Sequence, residues 1–453
     1  MRRALLSAGA CALLLAGCAT YQPLPLPQQA KLAVRITEVR HVLPSKEAGT
    51  SVAIDVSRPL LPSQVGLLAV LNAPELRSER GELDLAQATA LQSALLPNPS
   101  VSLGYAAVLS GPATAAAYTA SLAQDIASLV TYRSRKAAAQ DHVAQVDADL
   151  LWKEWQVAQK ARLLSVGLYW NGLALSANES RRTQVTQATA RMQAAVARGD
   201  ASLSDLTPLL SAHSSLEQAV SALELQQARD WAELDGLLGL TPEARFAIAR
   251  PRVPTPPGPL QAMVVSAPHR RPDLLALQLG YQSADESVRA AILGQFPAFA
   301  LGGAWGSDTS QVRSAGPTVT FDLPIFNHGQ GAVAQARATR LLLHERYQAR
   351  LDALASTVLA LQSRSRYLRT HLTAALKDAS SAQTREEAAR AAFEAGNLDE
   401  RAFADYASTA LAARLAVIDF NRGLDEARIG LQLELGLGLP QVRIAPLDSL
   451  EKS

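Results

Sequence analysis

Apolar residues in the first half of the chain fall at Val157, Ala161, Leu164, Leu168 and Leu175, spaced alternately by four and three, with Asn171 at the skipped place. That is the 3.5-residue period of a left-handed coiled coil. No proline lies between Pro112 and Pro208, or between Pro324 and Pro440. Proline lacks the N–H and clashes one turn back, so both stretches permit very long helices. The first rod is predicted from about Tyr132 to Arg198, roughly 100 Å at 1.5 Å per residue. Arg181, Arg182, Gln184, Gln187 and Arg191 give it a polar flank expected to face water. Each rod is predicted to turn back at a glycine, Gly199 in the first half and Gly396 in the second, with Asp200, Ser202 or Asp399 available to cap the returning helix.

A different period precedes each rod. Val101, Leu103 and Tyr105 alternate with Ser102, Gly104 and Ala106, and Val319, Phe321 and Leu323 alternate with Thr320 and Asp322. Period two predicts strands, apolar on one face and wet on the other. The expected spans are Ser100 to Val108, about Ala116 to Asp125, Ala298 to Trp305 and Thr318 to Leu323, with a polar loop from Gly306 to Ser310. These elements recur at an offset near 200 residues, with landmarks at Pro74 and Pro272, Pro97 and Pro297, Gly199 and Gly396, and Gly239 and Gly436. The chain is therefore duplicated, each unit reading helix, two strands, long helix, turn, long helix. Four strands cannot close a barrel in lipid, because their edges would leave backbone groups unpaired. Three copies would supply twelve, within the range of outer-membrane barrels. The alternative is a soluble pair of hairpins on a helical protein.

The N-terminus bears on compartment. Arg2 and Arg3 precede the apolar run Ala4 to Ala16, too short to span a bilayer, which ends in Leu15-Ala16-Gly17-Cys18. Residues 1–17 read as a secretory signal peptide. The Leu-Ala-Gly-Cys ending resembles the bacterial lipobox, which implies acylation of Cys18, and Ala19 resembles the following residue of lipoproteins sent to the outer membrane. An ordinary signal with an incidental cysteine is the other reading. Removing the signal takes Arg2 and Arg3 from 43 basic residues against 41 acidic, so the mature formal charge is zero and a nucleic-acid partner is not expected. The two cysteines are Cys11 in the signal and Cys18, which leaves no thiol for a disulfide, a metal or catalysis. The seven histidines show no pair spaced for a metal on one helix, and His328 reads as a turn residue at the sheet rim. No phosphate loop, nucleophile elbow or acid pair stands out, so no enzyme and no cofactor are expected.

The order Asn72-Ala73-Pro74-Glu75-Leu76-Arg77, Leu96-Pro97-Asn98-Pro99-Ser100-Val101-Ser102-Leu103-Gly104, Arg271-Pro272-Asp273-Leu274, Phe296-Pro297-Ala298-Phe299-Ala300-Leu301-Gly302-Gly303 and Leu323-Pro324-Ile325-Phe326-Asn327-His328-Gly329 resembles the TolC-like outer-membrane efflux protein family, of the lipoprotein type. The likeness runs from about Leu60 to Pro440. It implies a mainly α fold with a small β part: a trimeric channel-tunnel in which a coiled-coil α-helical barrel continues a twelve-stranded β-barrel. It implies a passive outer-membrane channel of a tripartite efflux or type I secretion system. The implied partners are a homotrimer, a periplasmic adaptor protein, an inner-membrane pump of the resistance-nodulation-division or ABC type, and outer-membrane lipid. The resemblance places the adaptor-contacting tips at Arg198, Gly199, Leu203, Gly396, Asn397 and Leu398, and the periplasmic gate at Asp405. A second aspartate of the family pattern is Ala402 here, so Asp405 is either the only acidic ring or is joined by Asp399 or Asp205. A phrase around Pro59-Leu60 and Leu-Leu-Pro-Asn-Pro is most like relatives serving metal-exporting pumps.

The expected organisation is a signal peptide, 1–17; a lipid-anchored tether and equatorial segment, 18–66; repeat 1, 67–240; a proline-rich linker, 241–269; repeat 2, 270–440; and a tail, 441–453. A strand is expected around Leu32 to Val39, and a polar stretch at Ser45 to Ser51. The competing function is a lipid-anchored periplasmic coiled-coil adaptor or scaffold, which would carry one hairpin flanked by β-rich halves rather than two hairpins with four barrel-like strands.

Overall fold

A computed structural model describes residues 21–44, 51–111, 115–297, 299–439 and 442. The signal peptide and Cys18 lie outside the described residues, as does most of the polar stretch from Ser45.

Each half of the chain builds the same unit. Repeat 1 holds α1 (Pro62–Asn72), α2 (Pro74–Ser93), β3 (Ser100–Ala106), β4 (Ala117–Asp125), α3 (Ala127–Arg198) and α4 (Leu203–Leu238). The stretch read as linker holds α5 (Leu260–Ser266), and repeat 2 follows with α6 (Pro272–Leu293), β5 (Phe299–Ser307), β6 (Arg313–Phe321), α7 (Gln330–Glu394) and α8 (Glu400–Glu434). Ahead of them lies a small ladder of β1 (Val42–Pro44) with β2 (Ser51–Ala53). Helix α3 has 72 residues, about 110 Å of rod. Its predicted seam is buried at Val157, Ala161, Leu168 and Asn171, and half-buried at Leu164 and Leu175.

The four landmark glycines do one job. Gly199, Gly239, Gly396 and Gly436 all have left-handed φ, between +59° and +80°. At each, the glycine N–H reaches the carbonyl three residues back, and the next N–H reaches the carbonyl five residues back, as in Gly199→Val196 (3.0 Å) with Asp200→Ala195 (2.9 Å). This paired closure satisfies carbonyls that a helix end leaves open, and a side chain would resist the left-handed φ it needs.

The strands form one antiparallel sheet in the order β3-β4-β5-β6, so each repeat gives one hairpin and β4 pairs with β5 across the duplication. Two strands run past their predicted ends: β5 takes in Gly306 and Ser307, and β6 begins at Arg313. Ser314, Ala315 and Gly316 are too small to mark alternation, so no hydrophobic signal announced them.

The core is an equatorial belt. Ile36, Val39 and Ile54 of the N-terminal segment pack with Leu68 of α1, Val157 and Ala161 of α3, and Leu234 and Leu238 of α4. Val253 of the linker packs with Val166 and Trp170 of α3 and with Ile429 of α8. The strand expected at Leu32 to Val39 is instead a single bridge, Ala33 to Leu240, followed by a 3₁₀ turn at Ile36–Glu38. Glu38 turns the chain back by accepting from the Val34 N–H (3.0 Å) and from Arg35 Nε (2.9 Å), which a continuous strand would not permit.

Charge enters this belt at a cost. Burial pushes the Asp149 carboxyl up, only partly opposed by Lys153 and a hydrogen bond from Gln145. A carboxyl raised on folding binds its proton more tightly folded than unfolded, so it penalises the fold above its folded pKa and that penalty is relieved as pH falls. Asp149→Asn is expected to melt above the parent at neutral pH, with the difference vanishing in acid; thermal midpoints across pH check this.

Candidate functional site

Two ends of the molecule carry the candidate chemistry: the hairpin tips and the sheet. At the first tip, Arg198 Nε donates to Asp200 Oδ2 (2.9 Å), with both side chains about two-thirds exposed. Leu203 is 71% exposed beside them. Asp205 turns inward to accept from the Ser202 hydroxyl and from the Ser202 N–H (3.0 Å), and those bonds hold its carboxyl below the usual range. At the second tip Gly396 and Asn397 are exposed and Leu398 is half-buried. Asp399 caps α8 by accepting from the Ala402 N–H (2.8 Å).

Of the three aspartates considered for a ring, Asp205 and Asp399 are therefore committed to starting helices. Asp405 is exposed, and among the described residues its carboxylate has no bonded partner; only its backbone carbonyl is used, by Thr409 Oγ1 (2.9 Å). The tip glycines have open space where a Cβ would sit, so only conformation penalises a substitution there. Gly199→Ala and Gly396→Ala are each expected to cost about 1 kcal/mol, seen as faster amide exchange confined to the affected tip.

Side chains the sequence did not single out join the two hairpins. Arg181, expected on the watery flank, is buried at 7% exposure; its Nη2 donates to the Ala404 carbonyl (2.9 Å) on α8. The heptad seam faces α4, whereas α3 also packs along α8, so a second flank of the same rod is covered. Nearer the tips, Arg191 Nη2 lies 2.5 Å from Glu400 Oε1, and Phe393 stacks on Phe403 at 5.2 Å between centroids. Only a second apolar stripe on α3 could have signalled this packing, and Ala177, Val185 and Ala188 are too small to make one conspicuous.

At the other end, one face of the sheet carries nearly all its large residues. Val101, Leu103, Tyr105, Tyr118, Leu122, Leu301, Trp305, Val319 and Phe321 are each about half exposed or more. The register brings them into cross-strand rows, Val101 with Leu122, Tyr105 with Tyr118, and Leu301 with Val319. Strands β3 and β6 are the sheet's edges. His328 lies in the turn between β6 and α7, where Asn327 Oδ1 accepts from the Gly329 N–H (3.0 Å).

Residues 263–437, most of repeat 2, match the profile of the outer membrane efflux protein family. Most of the chain also shares its fold with solved membrane proteins, outer-membrane channels among them. A membrane protein from Pseudomonas aeruginosa superposes with a TM-score of 0.70 at 18% identity, covering 93% of this chain and 98% of that one. The CmeC outer-membrane channel of Campylobacter jejuni gives 0.69 at 14%, covering 86% and 88%. CusC, solved in connection with folding and transmembrane channel formation, gives 0.68 at 16%, covering 83% and 92%. No curated protein matches at the level of sequence.

Proposed function

We infer that this chain, an outer membrane efflux protein by the profile of its second repeat and by its fold, is the outer-membrane channel of a tripartite efflux or type I secretion system. The observation that carries the reading is the sheet: four strands with two open edges and a face of exposed aromatic and aliphatic side chains. In hydrocarbon such edges must be paired, and closure by further copies is the arrangement that pairs them all. Three protomers joined β6 to β3 give a twelve-stranded barrel. Helix α7 supports the same closure, since Leu341, Leu359, Tyr367 and Leu376 along it are all more than half exposed in one protomer.

The tunnel then extends the barrel into the periplasm, and transport is passive, driven by an inner-membrane pump through an adaptor. Arg198, Gly199, Leu203, Gly396, Asn397 and Leu398 meet the adaptor at the periplasmic entrance. Asp405, repeated three times around the axis, is the acidic ring of the gate, and an unpartnered carboxylate suits a ring that attracts cations. Acylation of Cys18 anchors the N-terminal tether in lipid. The test is conduction by the purified full chain in planar bilayers. Stable channels are expected, with a cation preference reduced in Asp405→Asn. Channels whose selectivity is unchanged by that substitution remove Asp405 from the gate, and absence of conduction removes the channel reading.

A further inference from the structure

We propose that a pocket in the equatorial belt, between the proline-rich linker and helices α7 and α8, binds a small tetrahedral dianion, either inorganic phosphate or a phosphomonoester. The pocket is built within one chain, so it stands or falls separately from the channel reading above.

Ordinary packing fixes its walls. On α7, Arg366 and Ser365 lie one turn from Thr370 and Arg369, and on the facing wall Leu424, Arg428 and Leu431 recur turn by turn along α8. Thr255, Pro256 and Gly258 of the linker close the third side. The linker is held there, because Gln432 Nε2 donates to the Pro254 carbonyl (3.0 Å) and Val253 packs with Ile429 of α8. The space enclosed is about 280 Å³. That is at the lower edge of small-molecule sites, so the ligand is compact.

Charge sets its sign and valence. Three arginines line the pocket, and no acidic side chain does. The charge of Arg428 is offset by Asp425, which accepts from its Nη1 (3.1 Å) and from Trp170 Nε1 (3.1 Å). Arg364, on the same stretch of α7, is offset by Glu426 at 3.2 Å. Arg366 and Arg369 have no such counterion among the described residues. Two uncompensated guanidinium groups match a dianion, and their planar forks suit phosphate oxygens.

Two orphaned atoms show that the arginines are not merely a solvated face. Ser365 Oγ and Arg428 Nε are both shut off from solvent, and neither bonds to a protein group. Buried polar atoms are ordinarily paired, and a guanidinium has only donors, so Arg428 Nε calls for an acceptor. A phosphate oxygen supplies one and also accepts from the Ser365 hydroxyl. The site lies about 50 Å along α7 from the sheet, at 1.5 Å per residue. With the sheet in the bilayer, no lipid headgroup reaches it, which leaves a soluble ligand.

Isothermal titration calorimetry of the full-length protein tests this, in a sugar-based detergent and a buffer without phosphate. The probes are inorganic phosphate, glycerol 3-phosphate and acetate. Saturable binding of one phosphate or glycerol 3-phosphate per chain is expected, and the tighter of the two tells a free ion from an ester as the source. Acetate, with one charge, is expected to bind about tenfold more weakly or worse. Arg366→Gln and Arg369→Gln are each expected to weaken phosphate binding by about tenfold or more. Both side chains are exposed, so the fold survives their loss. Arg337→Gln removes the same charge from an exposed position far along α7 and is expected to leave binding unchanged. Absence of saturable binding by both phosphate probes would overturn the proposal, as when a carboxylate of a neighbouring copy already sits on the arginines. Acetate binding as tightly as phosphate would overturn it too. So would Arg366→Gln and Arg369→Gln having no more effect than Arg337→Gln, since the attraction would then be a diffuse field rather than a site.

Discussion

Arg271→Met is expected to cost about 3–5 kcal/mol, the largest loss of any single substitution in the equatorial belt. The guanidinium is 2% exposed. It meets Asp273 through two hydrogen bonds (2.9 and 2.6 Å), and it reaches the Glu434 carbonyl at 2.9 Å and the Glu434 carboxylate at 2.5 Å. Its carbon centre lies 4.6 Å from the ring centroid of Trp152. Burial alone would pull its pKa down, but the two carboxylates outweigh burial and the net direction is upward. One side chain thus ties the start of α6 to the end of α8 and to the middle of α3. Its removal would leave Asp273 buried, with only Arg350 at 3.3 Å to offset it. Arg271→Lys is expected to recover little, since an ammonium can neither form the fork nor stack on indole in the same way. Denaturant titration of the detergent-extracted protein measures the effect. A loss below about 1 kcal/mol would mean that Arg350 compensates and that the cluster is not the clamp described.

Gly302→Val is expected to abolish assembly in the outer membrane while the helical hairpins still fold. The clash is with backbone, at 2.3 Å from the Leu122 carbonyl oxygen, so no rotamer relieves it and strand β4 has to move. Overpacking against a yielding side chain costs about 1–3 kcal/mol, and against a strand in a closed ring the cost is higher. Gly303→Ala, one residue away on the face that carries the large side chains and with its nearest neighbour at 3.8 Å, is the matched control and is expected to assemble normally. Gel mobility of unheated oligomers separates the two variants. Equal assembly of both would mean that the close approach of β4 to β5 does not depend on the glycine.

What the sequence made legible were features that repeat or exclude. Proline-free runs and the 3.5-residue spacing located both rods, and the four glycines marked helix ends that share one hydrogen-bond closure. Alternation located the strands wherever one face carried large residues, and it lost them at Ser314 to Gly316, where neither face does. Arg181 was misplaced because a helix gripped on two flanks shows a blurred period, its second stripe running from Val166 and Trp170 through the small Ala174 and Ala177 to Val185. The N-terminal segment was opaque because it has almost no regular structure of its own: Ile36, Val39 and Ile54 are ordered by the rods they cover. At the candidate gate, the family resemblance pointed to Asp405, with Asp399 or Asp205 as further candidates, and the capping bonds of Asp205 and Asp399 leave Asp405 as the exposed carboxylate of the three that caps no helix.

The central claim is that protomers with two open strand edges close on one another in threes. Electron cryo-microscopy of the lipid-embedded full-length protein tests it most directly. The account requires a three-fold particle in which β6 of each protomer pairs with β3 of the next in an unbroken twelve-stranded ring at bilayer height. A single protomer, or a sheet with unpaired edges lying away from the bilayer, would contradict it.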